Sequence, residues 1–215
     1  KTCQTGCTYR GRSTGWMPWP AREAGLYLES LFQPQTDRTA IFCVDGPRGG
    51  FASGLRGHLI ADQLKKWGWR VIVIPHQLEL VQRQRIIKRE KPDILFLQKS
   101  RHPLNHPAFY PGSLCIFDLD DADFIDPKHT QTIIDCAKGC TAAIAGSTFV
   151  AEFLRQYNSH VEVIWTGSEP LKLDSQFLKT DPPIITWACS DPLGYPKEAE
   201  LVRNVLVSLG KNQKT

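Results

Sequence analysis

Short apolar runs alternate with amphipathic segments along most of this chain of 215 residues, and this alternation limits its fold more than any other feature. Short runs rich in β-branched residues are typical of strands that are buried on both faces. Strands that alternate with helices predict an α/β fold, with a Rossmann-like, doubly wound parallel sheet and right-handed crossovers. The predicted strands are Ala40–Val44, Val71–Ile74, Asp93–Gln98, Leu114–Phe117, Ala142–Ala145 and Val161–Trp165.

The segments between the strands carry apolar residues at helical spacing. The predicted helices are Leu55–Leu64, Leu78–Arg89, His129–Lys138, Thr148–Tyr157 and Glu198–Leu209, and Ile184–Ala188 is one further predicted strand. Residues 1–36 do not follow the alternation, so we expect them to form an N-terminal extension that packs on the domain. The expected organisation is this extension, a Rossmann-like domain over 37–183 and a further section over 184–215.

Composition limits the function. The net charge is +4 and the basic residues are dispersed, whereas a nucleic-acid partner needs a basic patch, so none is expected. No stretch approaches the roughly 18 apolar residues of a membrane span, and no signal peptide is visible. Cys43 and Cys115 lie inside apolar runs, which predicts buried thiols in a reducing cytoplasm. Cys3/Cys7 and Cys136/Cys140 are each spaced CxxxC. Neither has a nearby second pair with histidine to complete a zinc-type set, so no metal site is predicted.

Carboxylates follow the fourth predicted strand directly. The stretch Leu114–Asp121 ends in Asp118, Asp120 and Asp121, and Asp123 comes two residues later. In an open α/β sheet the ligand crevice lies outside the carboxyl ends of the strands. Acids in this place indicate chemistry with hydroxyls, with a metal or with a phosphate. A purely structural alternative is that one of them caps the next helix.

A glycine-rich turn follows the first predicted strand. Gly46, Gly49, Gly50 and Gly54 let backbone N–H groups approach a ligand closely at a helix N-terminus. The dinucleotide fingerprint GxGxxG and the Walker A pattern are both absent, which disfavours an NAD enzyme and a P-loop NTPase. A surface loop that is merely rich in glycine is the alternative. Arg56 lies in the first turn of the following helix, where a cation is poorly placed for the helix dipole, so we expect it to contact a ligand.

Several segments, taken in order, resemble the N-terminal domain of a GT-B glycosyltransferase of the kind grouped in family 4. The resembling segments span residues 40–167 and are Gly49–His58, Lys91–Lys99, Phe117–Phe124, Ala145–Val150 and Val163–Gly167. The resemblance implies two Rossmann-like domains that face each other across a cleft, the first binding mainly the acceptor and the second mainly the nucleotide sugar. Ile184–Ser190 resembles the opening strand of the second domain, so 184–215 would be the start of a truncated donor-binding domain.

The resemblance also implies roles for individual residues. Asp118 and Asp120 are the candidate general bases toward an acceptor hydroxyl if the reaction inverts the anomeric centre, and they would only orient the acceptor if it retains configuration. The implied substrate-binding residues are Gly49, Gly50, Arg56, His58, Lys99, Asp121, Ser147, Thr166 and Gly167. A solvated helix face is an equal alternative for His58.

The resemblance implies no cofactor, because the nucleotide sugar is a substrate, and no tightly held metal. The acceptor would be a glycan or a lipid-linked sugar. The basic helix Leu78–Arg89 has the charged and apolar faces that peripheral membrane contact requires, although the run Arg83, Arg85, Lys88 and Arg89 is also what a solvated helix face looks like. The expected location is cytoplasmic, with membrane contact as an option.

Two other functions remain open. Phe117–Asp121 also resembles the first motif of the haloacid-dehalogenase phosphatases, in which Asp118 would be the nucleophile and Asp120 the acid/base beside magnesium. Two features depart from that family: Ala122 stands where the motif usually has threonine, and the motif follows the fourth predicted strand, whereas the family carries it on the first. The remaining alternative is an acceptor domain that binds a sugar or a protein without turnover.

Overall fold

The structure, a computed structural model, describes residues 19–33, 36–167 and 196–212, together with positions 185 and 187. A six-stranded, all-parallel sheet dominates it, with the spatial order β2-β1-β3-β4-β5-β6. The strands are β1 (Thr39–Cys43), β2 (Arg70–Ile74), β3 (Ile94–Gln98), β4 (Cys115–Leu119), β5 (Ala142–Ala145) and β6 (Val161–Val163). The predicted α/β class and Rossmann-like parallel sheet are therefore confirmed.

Helices connect the strands. They are α1 (Trp19–Leu31), α2 (Leu59–Lys66), α3 (Leu80–Glu90), α4 (Pro127–Gly139), α5 (Thr148–Leu154) and α6 (Pro196–Asn212). A π-helical turn, Ser53–His58, leads into α2, and β4 continues beyond its predicted end at Phe117, so Asp118 lies within the strand. The predicted strand Ile184–Ala188 falls mainly outside the described residues, and Ile185 and Trp187 have no regular secondary structure.

The chain forms two compact units, Lys1–Ser168 and Glu169–Thr215. The sheet and α1–α5 belong to the first unit, and α6 belongs to the second. Within the first unit Leu26 of α1 packs against the core. The boundaries expected from the sequence, after residues 36 and 183, stay predictions.

Both faces of the sheet are covered, which explains why the strands read as nearly continuous apolar runs. Successive residues of a strand point to opposite faces. Ile41 and Cys43 of β1 therefore join the larger core cluster with α3, α4 and α5, whereas Ala40 and Phe42 join the smaller one with α2. The rings of Phe42 and Phe96 lie 4.7 Å apart in that smaller cluster.

The strand order reverses direction at one place. The chain runs from β1 outward to β2, returns past β1 to β3 and then continues to β6 on the other side. In doubly wound sheets of this kind the ligand crevice lies outside the carboxyl ends of the strands, at the point where the order reverses. The ends of β1 and β3, with β4 beside them, are therefore where a functional site is expected.

Candidate functional site at the carboxyl edge of the sheet

The glycine-rich turn after β1 packs closely on the sheet. A Cβ atom on Gly57 would lie 2.5 Å from Val44 Cγ1 and 3.1 Å from Gln98 Oε1, and one on Gly54 would lie 2.7 Å from the Arg48 carbonyl oxygen. These glycines allow the π-helical turn to lie directly against the ends of β1 and β3. A Cβ on Gly49 would meet nothing within 4 Å, so packing explains only part of the glycine content.

The close approach brings Arg56 into a buried ion pair with Asp118. Arg56 Nε donates to both carboxylate oxygens, at 3.0 and 3.2 Å, and the Asp118 side chain is completely buried. Arg56 Nη1 also donates to the Ile164 carbonyl oxygen at 2.8 Å and to Thr166 Oγ1 at 3.1 Å. The guanidinium thus joins the π-helical turn, β4 and the segment after β6.

Both partners of this pair carry shifted pKa values. Burial raises the pKa of Asp118 to about 6, although the hydrogen bonds from Arg56 act against the rise. Burial acts to lower the pKa of Arg56, but the hydrogen bonds to Asp118 outweigh it and raise that pKa. Asp118 has no exposed surface from which to reach a substrate. Its position therefore supports a role in holding Arg56, and the predicted roles of Asp118 as base and Arg56 as ligand contact gain no support from it.

A second charged group lies at the end of β3. Lys99 has a left-handed backbone conformation, with φ of 51°, and its ammonium lies 2.7 Å from Asp121 Oδ2 and 2.9 Å from Asp120 Oδ1. Burial acts to lower the pKa of Lys99, but Asp121 and Asp120 outweigh it and keep the ammonium charged. Arg101 pairs with Asp123 in the same way, with Nε 2.7 Å from Oδ2. The structure therefore brings together Lys99, Asp120 and Asp121, three of the residues that the resemblance implied for the site.

Asp45 is a candidate that the sequence reasoning missed. It follows β1 at the reversal point, is half-buried, and its backbone N–H donates to Gln98 Oε1 at 3.4 Å. In the part of the chain that the structure describes, no side-chain cation lies within ion-pair distance of its carboxylate. Burial raises the pKa of Asp45, Lys99 lowers it and Asp120 raises it further. The sequence could have indicated this residue, because Asp45 is the only acid between β1 and the glycine-rich turn.

The remaining predicted residues are spread along this edge. Ser147 caps α5, where its Oγ accepts a hydrogen bond from the Val150 N–H at 3.2 Å. His58 Nε2 lies 3.4 Å from the Gly46 carbonyl oxygen, and burial lowers the pKa of His58. Gly167 is exposed in the coil after β6. Ser147 thus has a structural role that does not need a ligand.

Two cavities flank the glycine-rich turn and share Arg48 and His58. The first, which we call the loop pocket, has a volume of about 280 Å³ and is lined by Gly50, Phe51 and the outer side of the π-helical turn. The second, which we call the strand-end cavity, has a volume of about 350 Å³ and lies beyond the carboxyl ends of β1 and β2. The loop pocket is mainly apolar, whereas charged side chains surround the strand-end cavity.

A buried network supports the reversal point from behind. Asn105 Nδ2 donates to the Cys43 carbonyl oxygen at 3.0 Å and to the Gln98 carbonyl oxygen at 2.6 Å, which links the ends of β1 and β3. Arg83 is fully buried and donates to Asn105 Oδ1 at 2.9 Å. The expectation that Arg83 belongs to a solvated basic helix face is therefore wrong. Its guanidinium is buried and donates hydrogen bonds to backbone carbonyls and to Asn105.

His102 joins this network in its neutral form. Its Nε2 lies 2.7 Å from the His76 carbonyl oxygen, and its Nδ1 accepts from the Leu104 N–H at 3.1 Å. One ring nitrogen donates and the other accepts, which is the pattern of neutral imidazole. Burial lowers the pKa of His102 to about 4, and nearby Arg83 lowers it further. A proton on Nδ1 would break the bond from Leu104.

We expect His102 to destabilise the protein in acid. Unfolded histidine titrates near 6.5, so the folded form resists a proton that the unfolded form accepts. The contribution of His102 to the free energy of unfolding is therefore complete above about pH 6.5. It falls by up to about 3 kcal/mol as the pH decreases toward 4. Urea unfolding between pH 7 and pH 4.5 measures it, with His102→Gln as the control that cannot titrate. Equal pH slopes for both proteins would contradict the prediction.

The described residues give the phosphatase alternative no support. Both Asp118 oxygens accept hydrogen bonds from Arg56, so a magnesium ion or a phosphorus atom would have to displace a bidentate guanidinium. Among the described residues, no group of three or more His, Cys, Asp or Glu side chains is placed to hold a metal ion. Within the same residues, no helix is both long and apolar enough to cross a membrane.

Comparisons with known proteins do not assign the chain to a family. A scan against models of protein families found no match, and neither did a search of curated protein sequences.

Proposed function

We propose that this chain supplies the acceptor-binding part of a GT-B glycosyltransferase, which transfers a sugar from a nucleotide-sugar donor to an acceptor hydroxyl. The resembling segments support this proposal through their order along residues 40–167. They also meet in space, since Arg56, Lys99, Asp118 and Thr166 come from four of them and lie at one edge of the sheet. The nucleotide sugar is a substrate, and the acceptor is a glycan or a lipid-linked sugar.

The observation that carries the proposal is the free carboxylate of Asp45 at the reversal point. A glycosyl acceptor must lose a proton as its oxygen attacks, and a carboxylate within hydrogen-bond reach can take it. Asp118, Asp120 and Asp121 each have a cation as a direct partner, whereas Asp45 has none among the described residues. Burial raises the pKa of Asp45, which brings its basicity closer to the operating pH.

The charge balance favours a hydroxyl-rich ligand at this edge. The carboxylates there outnumber the cations, which are Arg56, Lys99 and Arg101. The carboxylates are those of Asp45, Asp118, Asp120, Asp121 and Asp123. Surplus carboxylate oxygens accept hydrogen bonds from hydroxyl groups, while a bare phosphate would be repelled. This balance suits the acceptor better than the donor diphosphate, in agreement with an acceptor-binding role for the first compact unit.

Acceptor binding by the 215-residue chain tests the proposal. Saturation-transfer difference NMR with a panel of mono- and disaccharides, with and without phosphate groups, should give signals for those that bind, and a second sugar that binds the same site should suppress them. Release of UDP or GDP from nucleotide sugars, measured with each acceptor that binds, then tests for transfer. A chain that binds nucleotide sugars but no acceptor, or that hydrolyses phosphate monoesters through Asp118, would overturn this assignment. A cytoplasmic location and peripheral membrane contact stay predictions.

A further inference from the structure

The strand-end cavity has a composition that the proposed acceptor site does not use. It has a volume of about 350 Å³, which lies within the range of small-molecule sites. Apolar side chains form part of its lining, contributed by Leu26 of α1, Val44 after β1 and Val73 of β2. Charged and ionisable side chains complete it, and the cations among them outnumber the one carboxylate, Glu29.

Each of the two full cations of this cavity pairs with one carboxylate near the protein surface. Arg48 donates to both oxygens of Asp62, and Lys65 lies 3.3 Å from Glu29. The Arg48 side chain is 60% exposed and the Lys65 side chain 34% exposed. Ion pairs at such exposure contribute little to stability. A ligand that offers more negative charge than a single carboxylate can therefore compete with Asp62 and Glu29 for these cations.

We propose that the strand-end cavity binds the phosphate group of a phosphorylated sugar acceptor, through Arg48 and Lys65. A phosphate carries more charge than the Asp62 or Glu29 carboxylate and accepts several charge-assisted hydrogen bonds. The planar fork of Arg48, which donates to both Asp62 oxygens in the structure, would turn to two phosphate oxygens, and Lys65 would contribute a compact charge. The apolar lining then packs on the sugar or on a hydrophobic substituent of the phosphate.

The position of the cavity relates it to the proposed reaction, on which this inference rests. Gly46 lines the cavity, and Asp45 precedes it directly in the chain. A sugar held by its phosphate in the cavity would thus lie beside the carboxylate proposed to receive its hydroxyl proton. The substrate class becomes a sugar phosphate, with the phosphate monoester of a soluble sugar and a lipid-linked phosphate as its two sources.

Titration calorimetry on the full chain tests the site with four probes: glucose 6-phosphate, glucose, inorganic phosphate and a short-chain prenyl phosphate. The double variant Arg48→Gln/Lys65→Gln should weaken glucose 6-phosphate binding by at least about tenfold, since two charge-assisted contacts are lost. Arg85→Gln is the matched control, because Arg85 is an exposed cation paired with Glu23 outside the cavity; it should change the affinity less than about twofold. Tighter binding of prenyl phosphate than of the sugar phosphate would identify a lipid-linked acceptor.

Three results would overturn the phosphate site: equal affinity for glucose and glucose 6-phosphate, equal effects of the double variant and the control, or no binding of any phosphate probe. The proposed transferase fails separately. If phosphate binding depends on Arg48 and Lys65 but no acceptor receives a sugar, the cavity stands and the transferase falls. If transfer to a sugar phosphate is unchanged in the double variant, the transferase stands and the cavity proposal falls.

Discussion

Replacing Arg56 with methionine should lower the free energy of unfolding by about 3–5 kcal/mol, because the substitution leaves a buried carboxylate without its partner. Asp118 is fully buried and accepts from Arg56 through both oxygens. The Ile164 carbonyl and Thr166 lose their shared donor as well. Besides the loss of global stability, the segment after β6 should therefore become more mobile. Faster hydrogen exchange at residues 164–166 would detect this change.

A double variant distinguishes the effect of an unpaired buried charge from the effect of lost side-chain packing. Arg56→Met with Asp118→Leu removes both charges, and apolar replacement of a whole buried pair is often neutral. We expect it to recover most of the stability that the single variant loses in urea unfolding. Arg48→Met is the control for an exposed pair and should cost less than about 1 kcal/mol. If Arg56→Met costs no more than this control, the pair does not hold the edge together.

The sheet could be predicted because its signal is local. Each of the six observed strands overlaps a predicted apolar run, since strands covered on both faces are apolar over most of their length. The end of β4 was placed too early because Asp118 reads as the start of a polar loop. Only its partner allows a carboxylate inside a buried strand, and that partner, Arg56, lies 62 residues away in the chain.

The candidate site was predicted in part, for the same reason. The sequence placed acids and glycines at the carboxyl edge of the sheet, because the carboxyl ends of parallel strands meet there. It could not tell which charges neutralise one another. Arg83 reads as one of several basic helix residues, yet it is fully buried against Asn105 and backbone carbonyls. Asp45 reads as a turn residue. Only the structure shows that, among the residues it describes, Lys99 pairs with Asp120 and Asp121 and leaves Asp45 without a cation.

Replacing Asp45 with asparagine should reduce sugar transfer by about 10²–10⁴-fold in kcat, the usual contribution of a general base. Asparagine keeps the shape of the side chain and can still hydrogen-bond an acceptor hydroxyl, but it cannot take the proton. The KM for the acceptor should therefore change little. The wild-type rate should also fall on acidification, as Asp45 becomes protonated, and the variant should lose this dependence on pH.

Stability distinguishes this role from a structural one. A carboxylate whose pKa is raised by burial destabilises the folded protein when it is charged, so its contribution to stability improves as the pH falls. At pH 7 the Asp45→Asn variant should therefore be at least as stable as the wild type while losing activity, which is the pattern expected of a functional residue. Asp118→Asn should do the reverse and lose stability, because it disrupts the bond network of Arg56.

Asp120 and Asp121 provide the comparison that decides which carboxylate acts. Asp121 is 56% exposed and paired with Lys99, so Asp121→Asn should affect kcat by less than about tenfold if a surface pair is all it loses. Asp120→Asn tests the base that the sequence predicted. A loss in kcat larger than that of Asp45→Asn, with the acidic limb of the pH profile removed, would transfer the role to Asp120. Because the Lys99 ammonium lies 2.9 Å from Asp120 Oδ1, the hydroxyl would then have to bind Asp120 Oδ2 or displace Lys99.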